Sequence, residues 1–315
     1  MVRGEAAARP AGGGAARTVL ADYLGARATE LLRGLRQYDE AGGRPAADAA
    51  WLVRGAARRI CVTLGAHPGK TDPEWARQLC GELQWFSELI VREHVQAARL
   101  ERLLAGLHRL SGADEAGSGR AAGAARAAAL LRRRLGLARG RAHTAALDAM
   151  GSGRFHAAVD AVALLASEAP PAGEGSADVL RDAVEAAEKR LAEAVARLPL
   201  RRAGHPYNAE ALARGLDPGA AQDVPWRQVR TLLRHVRYAH ELLAPAAPPH
   251  LTAAGRALDR HRDAEQAAEA AAAAAHTPRI TPPTAYALGV LHADQRHEVE
   301  AARFTFGRLW ERGAG

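Results

Sequence analysis

The sequence predicts an all-α protein, and three features carry that prediction. Alanine, leucine, arginine and glutamate dominate the chain, and alanine is the best helix former and a poor strand former. Nearly every apolar segment repeats with a period of about 3.6 residues, as one face of an amphipathic helix does. Aromatic residues are only 4% of the chain, and no segment alternates apolar and polar residues like a half-buried strand. With 315 residues, 48% of them hydrophobic, the chain can build one large or two medium domains around a sizeable core.

Residues 1–17 are rich in Ala and Gly, carry Arg3, Glu5 and Arg9, and lack an apolar h-region. They read as a disordered leader and not as a signal peptide. Helical pattern begins near Thr18 and runs through Leu20, Leu24, Leu31, Leu32 and Leu35 to a break at Gly42-Gly43-Arg44-Pro45. A second helix covers about 47–64 and stops at Gly65-Ala66-His67-Pro68-Gly69. Asp72-Pro73-Glu74 then supplies an N-cap, an N1 proline and a first-turn acid. The helix it starts carries Trp75, Leu79, Leu83, Phe86, Leu89 and Ile90, and helical pattern extends to Leu110. Beyond a Gly/Ser/Asp loop at Ser111–Gly119, helices are expected over 120–136 and 140–167.

The strongest internal boundary is Ala169-Pro170-Pro171-Ala172-Gly173-Glu174-Gly175, near the midpoint. It divides a first helical half, 18–168, from a second, 177–312, with 169–176 as the linker. In the second half a helix over 177–198 is followed by a polar, proline-containing stretch from Leu200 to Pro225. A basic helix occupies 226–243, and Pro245-Ala246-Ala247-Pro248-Pro249 breaks the chain again. Helices over 251–275 and 284–312 flank a Pro-rich turn at 278–283.

The net charge is +8, and Lys70 and Lys189 are the only lysines among 43 basic residues. A GC-rich coding bias accounts for much of that skew, so placement and not number must identify functional arginines. Cys61 and Cys80 have no histidine at metal-site spacing and read as buried thiols in a reducing compartment. No metal site and no cofactor are expected. No run approaches membrane-spanning length, so the expectation is a cytoplasmic protein without a membrane partner.

The helix at 226–243 is the most informative segment. Trp226, Val229, Leu233, Val236 and Leu243 form a core face. Arg227, Arg230, Arg234 and Arg237 recur at i, i+3, i+7 and i+10 and form a stripe beside it. At 1.5 Å rise per residue the four span roughly 15 Å. Like charges at these spacings repel by a few tenths of a kcal/mol per pair, and no carboxylate interrupts the stripe before Glu241. The ordinary solvated helix at 181–193 mixes Arg181, Asp182, Glu185, Glu188, Lys189, Arg190 and Glu193. A stripe of one sign therefore points to an anion site, or else to arginines paired with carboxylates on neighbouring helices.

The first half carries a weaker copy. Arg54-x-x-x-Arg58 matches Arg230-x-x-x-Arg234, and Arg92-Glu93-x-x-Gln96-Ala97-Ala98 matches Arg262-Asp263-x-x-Gln266-Ala267-Ala268 in the same order. Arg54, Arg58 and Arg59 lie near Trp51, Val53 and Ile60, and Arg154 in Ser152-Gly153-Arg154-Phe155 is a further candidate. Arg132-Arg133-Arg134 points around a whole helix and reads as a solvated run. His235, His240 and His261 lie near the basic face and are expected to take neutral surface or hydrogen-bonding roles and not catalytic ones.

These segments resemble the CHAD family, the conserved-histidine α-helical domain. Trp51-Leu52-Val53-Arg54-Gly55-Ala56-Ala57-Arg58-Arg59 fits the family's His-x-x-Arg-Val-x-x-Arg-Arg motif with tryptophan in place of histidine. Trp226-Arg227-Gln228-Val229-Arg230, Arg234, Arg237-Tyr238 and Glu241-Leu242 fit its second-half motif, with Arg227 replacing the histidine and Arg234 the lysine. Leu258-Asp259-Arg260-His261-Arg262-Asp263-Ala264 resembles its Leu-Gly-x-His-Asn-Asp-Ala segment, and Ser152-Gly153-Arg154-Phe155 its Ser-x-Arg-Tyr segment. The resemblance spans about residues 18–312. It implies two pseudo-symmetric antiparallel helical bundles with a basic cavity between them, and non-catalytic binding of inorganic polyphosphate. Some members of the family associate with polyphosphate granules.

The implied contacts are Arg54, Arg58, Arg59, Arg92, Arg154, Arg227, Arg230, Arg234, Arg237 and Arg262. Nucleic-acid binding is the second reading, since the charge permits it, but no helix-turn-helix spacing, zinc finger or RNP-like strand supports it. An enzyme of phosphoryl transfer would need Mg²⁺-holding carboxylates or a Walker-type glycine loop among the basic residues, and the stripes contain neither.

Overall fold

A computed structural model of the chain describes residues 12–67, 72–111, 119–168, 177–201, 203, 213, 221–244 and 246–313. The described residues contain helices and no strand. In chain order the helices are α1 (Gly12–Glu40), α2 (Gly43–Ala66), α3 (Pro73–Ser111), α4 (Gly119–Met150), α5 (Gly153–Ser167), α6 (Ala177–Ala196), α7 (Val224–Leu243), α8 (Pro249–Ala275) and α9 (Pro282–Gly313). A 3₁₀ turn, Ala221–Asp223, leads into α7. Residues 1–11 of the expected leader and the whole expected linker, 169–176, lie outside the described residues.

Side-chain caps set two of the helix starts. Asp72 caps α3 by accepting the Glu74 amide at 2.9 Å. Ser152 caps α5 by accepting the Phe155 amide. Two expectations are corrected. α1 begins at Gly12, six residues before the apolar pattern, through Gly12-Gly13-Gly14-Ala15-Ala16-Arg17. The break expected at 137–139 is absent, and α4 runs through Gly136 and Gly140 to Met150. Both glycines keep helical geometry, and the chain turns only at Gly151-Ser152, where a side chain is present to cap the next helix.

The chain forms two compact units. The first comprises α1, α2, α3 up to Glu88, α5, the start of α6 and residues 238–246. Its core includes Leu24, Leu31, Val53, Ile60, Leu83 and Val162, all buried. α1 meets α2 at Gly34, where an added Cβ would lie 2.6 Å from Leu52 Cδ2 and 2.8 Å from Val53 Cγ2. Phe86 and Phe155 join α3 to α5 edge to face at 5.5 Å.

The second unit comprises the rest of α3, most of α4, the end of α6, the first part of α7, and all of α8 and α9. α8 packs on α9 through small residues: Ala257, Ala264, Ala267, Ala271 and Ala274 are fully buried. One apolar cluster joins Leu103 and Leu107 of α3, Leu131 of α4, and Leu288 and Leu291 of α9. Another places Trp226 edge-on to Phe306, which stacks on Trp310, with 5.9 Å between ring centres in each pair. No helix among the described residues is long and apolar enough to cross a membrane.

Candidate anion-binding site

The core face of α7 forms as its periodicity predicts from Trp226 to Val236, while Leu243, at the last turn of the helix, is exposed and not part of it. Trp226, Val229, Leu233 and Val236 are buried at 1% exposure or less, so the arginine stripe is fixed at the edge of the packed face. Arg227 is exposed, while Arg230, Arg234 and Arg237 are half-buried. Arg237 runs across Gly255 of α8, where an added Cβ would sit 3.0 Å from Nη1 and 3.1 Å from Leu233 Cδ2. The missing side chain is what lets this arginine lie flat on α8. Its Nε is buried without a hydrogen-bond partner.

The stripe has one sign along α7, but α8 brings carboxylates to it. Arg230 donates to Asp259 Oδ1 from Nε at 2.7 Å and Nη2 at 2.5 Å. Arg227 Nε stands 3.6 Å from Glu265 Oε1. Of the two explanations expected for the stripe, pairing with carboxylates on a neighbouring helix holds for Arg227 and Arg230. Arg234 bonds Thr231 Oγ1 at 3.5 Å, a neutral partner.

Two helices supply further cations beside Arg230. Arg262 of α8 is half-buried and 3.6 Å from Asp263. Burial, then the charge of Arg230, pushes its pKa down. Arg99 of α3 is pushed down by burial and by Arg262. Arg230, Arg262 and Arg99 thus form a row of interacting guanidiniums that crosses α7, α8 and α3. Arg99 is held by neutral amides, with Nη2 on Gln266 Oε1 at 2.9 Å and Nη1 on Gln96 Oε1 at 3.4 Å. On the same helix Arg102 Nε donates to Gln295 Oε1 at 2.5 Å. Neither Arg99 nor Arg102 is among the sequence-derived candidates. The available signal was the spacing of Arg92 and Arg99 at i, i+7 in the repeated segment. Arg92 itself is exposed.

In the first unit Arg54, Arg58 and Arg59 are half-buried on α2, and the Arg54 guanidinium lies 5.7 Å from the centre of the Trp51 ring. Arg59 is engaged on two sides. Its Nε and Nη2 donate to the two oxygens of Glu241 at 2.6 and 3.2 Å, and it lies 4.8 Å over the Tyr238 ring. Burial alone would lower its pKa, and the Glu241 bond and charge more than offset that. Arg154 is built the same way, bidentate on Glu82 at 2.6 and 3.2 Å and 3.9 Å over the Trp85 ring. Ten candidates therefore divide into Arg54, Arg58, Arg59 and Arg154 in one unit and the other six in the second.

Beneath Arg227 lies a buried polar network that the sequence did not reveal. Asp223 accepts from Arg296 Nη1 at 2.9 Å and also from Arg303 Nη2. Arg303 Nη1 donates to Glu300 at 2.6 Å, and its guanidinium faces the Trp226 ring at 5.1 Å. His261 stacks on Trp226, accepts from Arg303 Nε at 3.3 Å, and is kept neutral chiefly by burial. That agrees with the hydrogen-bonding role expected for it. His240 likewise bonds Glu188 at 2.7 Å. Arg132, Arg133 and Arg134 are all exposed, and Arg134 reaches Ala273 O and Thr277 Oγ1 on α8's end. No group of three potential metal ligands occurs among the described residues.

A solved structure, PptA from Streptomyces chartreusis, shares this fold with a TM-score of 0.80 and 51% sequence identity, over 94% of this chain and 99% of that one. No curated protein matches the chain. The family model of the CHAD domain matches residues 26–254, which include the motifs around Arg54, Arg154 and Arg230. On that match and that likeness, the chain belongs to the CHAD domain family.

Proposed function

We propose that the protein binds inorganic polyphosphate and does not turn it over. The row Arg230–Arg262–Arg99 is the observation that carries this reading. Along α7 the guanidiniums repeat at helical spacing, and across α8 and α3 they continue close enough to shift one another's pKa. An ordinary protein surface spreads such charges apart. A linear polyanion relieves their repulsion and adds bidentate charge-assisted hydrogen bonds. It also gains entropy from counterion release.

The principal contacts are Arg227, Arg230, Arg234, Arg237, Arg262 and Arg99 in the second unit, with Arg54 and Arg58 as a lesser set in the first. Arg59 and Arg154, each clamped by a carboxylate and an aromatic face, serve folding. Family membership supports polyphosphate over other polyanions, and association with polyphosphate granules follows from the same binding.

The test is a titration of the full chain with polyphosphate, duplex DNA, single-stranded DNA and ATP at several matched salt concentrations. The account expects polyphosphate to bind tightest, with log K falling linearly in log salt. Equal or tighter binding of DNA would replace polyphosphate with nucleic acid as the ligand. Release of phosphate from polyphosphate with Mg²⁺ or Mn²⁺ would show that the protein is an enzyme.

A further inference from the structure

Glu265 stands apart from the other acids of the second unit. Its side chain is 4% exposed, yet Arg227, itself 53% exposed, is the one cation within ion-pair distance among the described residues. Five other charged groups act on it. Asp223 does so from the 3₁₀ turn, Arg262 and Glu269 from α8, and Arg296 and Arg303 from α9. Both arginines of α9 are bonded to Asp223, and Arg303 also to Glu300. His261, one turn earlier on α8, faces Asp223 and Arg303 and is neutral. Glu265 therefore feels two other carboxylates, and its one counter-ion at ion-pair distance among the described residues is the solvent-reaching Arg227.

We infer that Glu265 sets the affinity of the α7 site by competing with the bound anion for Arg227, and that it takes up a proton when the anion wins. The inference rests on the polyanion reading and concerns its regulation. The chemistry is one of charge balance. When the Arg227 fork turns to a phosphate, a buried carboxylate is left beside Asp223 and Glu269 with no cation at 3.6 Å. Leaving a charge unpaired there costs more than binding one proton from solvent. Burial and the Asp223 charge already push the Glu265 carboxyl up to about 7, against the pull of Arg227. Removing that pull raises it further. Binding of each anion segment is thereby accompanied by uptake of a proton on the Glu265 carboxylate, and no other bond changes.

The experiment is calorimetric titration of the full chain with polyphosphate of about a hundred phosphates, long enough that chain-end phosphate protons are negligible. It is run at pH 6, 7 and 8, at fixed ionic strength, in two buffers of different ionisation enthalpy. Linkage of one proton limits the change to tenfold per pH unit, and the expected loss of affinity from pH 6 to pH 8 is about three- to tenfold. Glu265→Gln is expected to bind at pH 8 as tightly as the unaltered protein does at pH 6, with the pH slope and the buffer-dependent heat gone. Arg227→Gln, at an exposed site, should weaken binding and also lose the slope. A Glu265→Gln protein that keeps its slope, or an Arg227→Gln protein that keeps it if the former does not fold, overturns the inference. Absence of polyphosphate binding at every pH overturns instead the functional reading beneath it.

Discussion

Arg230 and Asp259 lock α7 to α8 through a two-pronged contact, with Nε at 2.7 Å and Nη2 at 2.5 Å from the same carboxylate oxygen. The arginine side chain is 16% exposed and the aspartate 51%. The cation is thus held in place while its partner faces water. A carboxylate so placed orients the guanidinium and also opposes any anion that approaches it.

Asp259→Asn should therefore tighten polyphosphate binding by about three- to tenfold, equivalent to roughly 1 kcal/mol. Because the pair is partly exposed, the loss of stability should be small, on the order of 1 kcal/mol or less. Parallel affinity and thermal-melting measurements check both outcomes. A weaker affinity would mean that Asp259 orients Arg230 more than it repels the ligand.

Asp223 is the anchor of the second unit's buried network. Burial alone would raise its pKa, but the His261 imidazole beside it, the bond from Arg296 and the charges of Arg296 and Arg303 hold it well below the usual carboxylate range. A depressed pKa contributes stability that is present above the unfolded value and lost only as pH falls through the native one. Acid unfolding should accordingly begin elsewhere before Asp223 titrates. Asp223→Asn leaves two buried arginines undercompensated and should cost about 3–5 kcal/mol, measured by denaturant unfolding at pH 7.

Glu265 has the opposite sign. Its pKa is raised, so its contribution is fullest below the unfolded value and declines as pH climbs toward about 7. Glu265→Gln should then be more stable than the parent above pH 7, by on the order of 1–2 kcal/mol, and about equal to it near pH 4. Melting curves across that range test the crossover.

The two cysteines should differ in reactivity. Cys61, whose Sγ donates to the Cys80 carbonyl oxygen at 3.8 Å, is raised by the neighbouring Cys80 thiol and by burial, while the Cys61 thiol lowers Cys80. A thiol reagent at limiting concentration should label Cys80 first, as peptide mass spectrometry would show. The thiolate is the reactive form. Preferential labelling of Cys61 would contradict this order of the two thiols.

The sequence made the helices and the α7 stripe legible because both depend on local periodicity. Trp226, Val229 and Leu233 could point nowhere but inward once their spacing was seen. What periodicity cannot supply is the rotation of one helix about another, and the counter-ions depend on it. Asp259 and Glu265 lie more than a helix away from their arginines in sequence, and only the packing of α8 on α7 brings them near. Arg296 and Arg303, at i, i+7 in α9, share a face that composition alone would assign to solvent. Their burial depends on Asp223, contributed by a turn that no periodic pattern marks. Arg59 reads in sequence as one more stripe arginine and is in fact saturated by Glu241 and Tyr238. The tryptophan at 51, which replaces the motif's histidine, offers its ring face to Arg54 and so orients that arginine in another way.

The most direct test of polyphosphate binding through the α7 arginines is the affinity of Arg230→Glu, Arg234→Glu measured against the parent at low and physiological salt. Reversing two charges in the row should weaken binding at least a hundredfold at low salt and flatten the slope of log K against log salt by about two. An affinity and a salt slope equal to the parent's, in a variant with intact helical signal, would contradict the account.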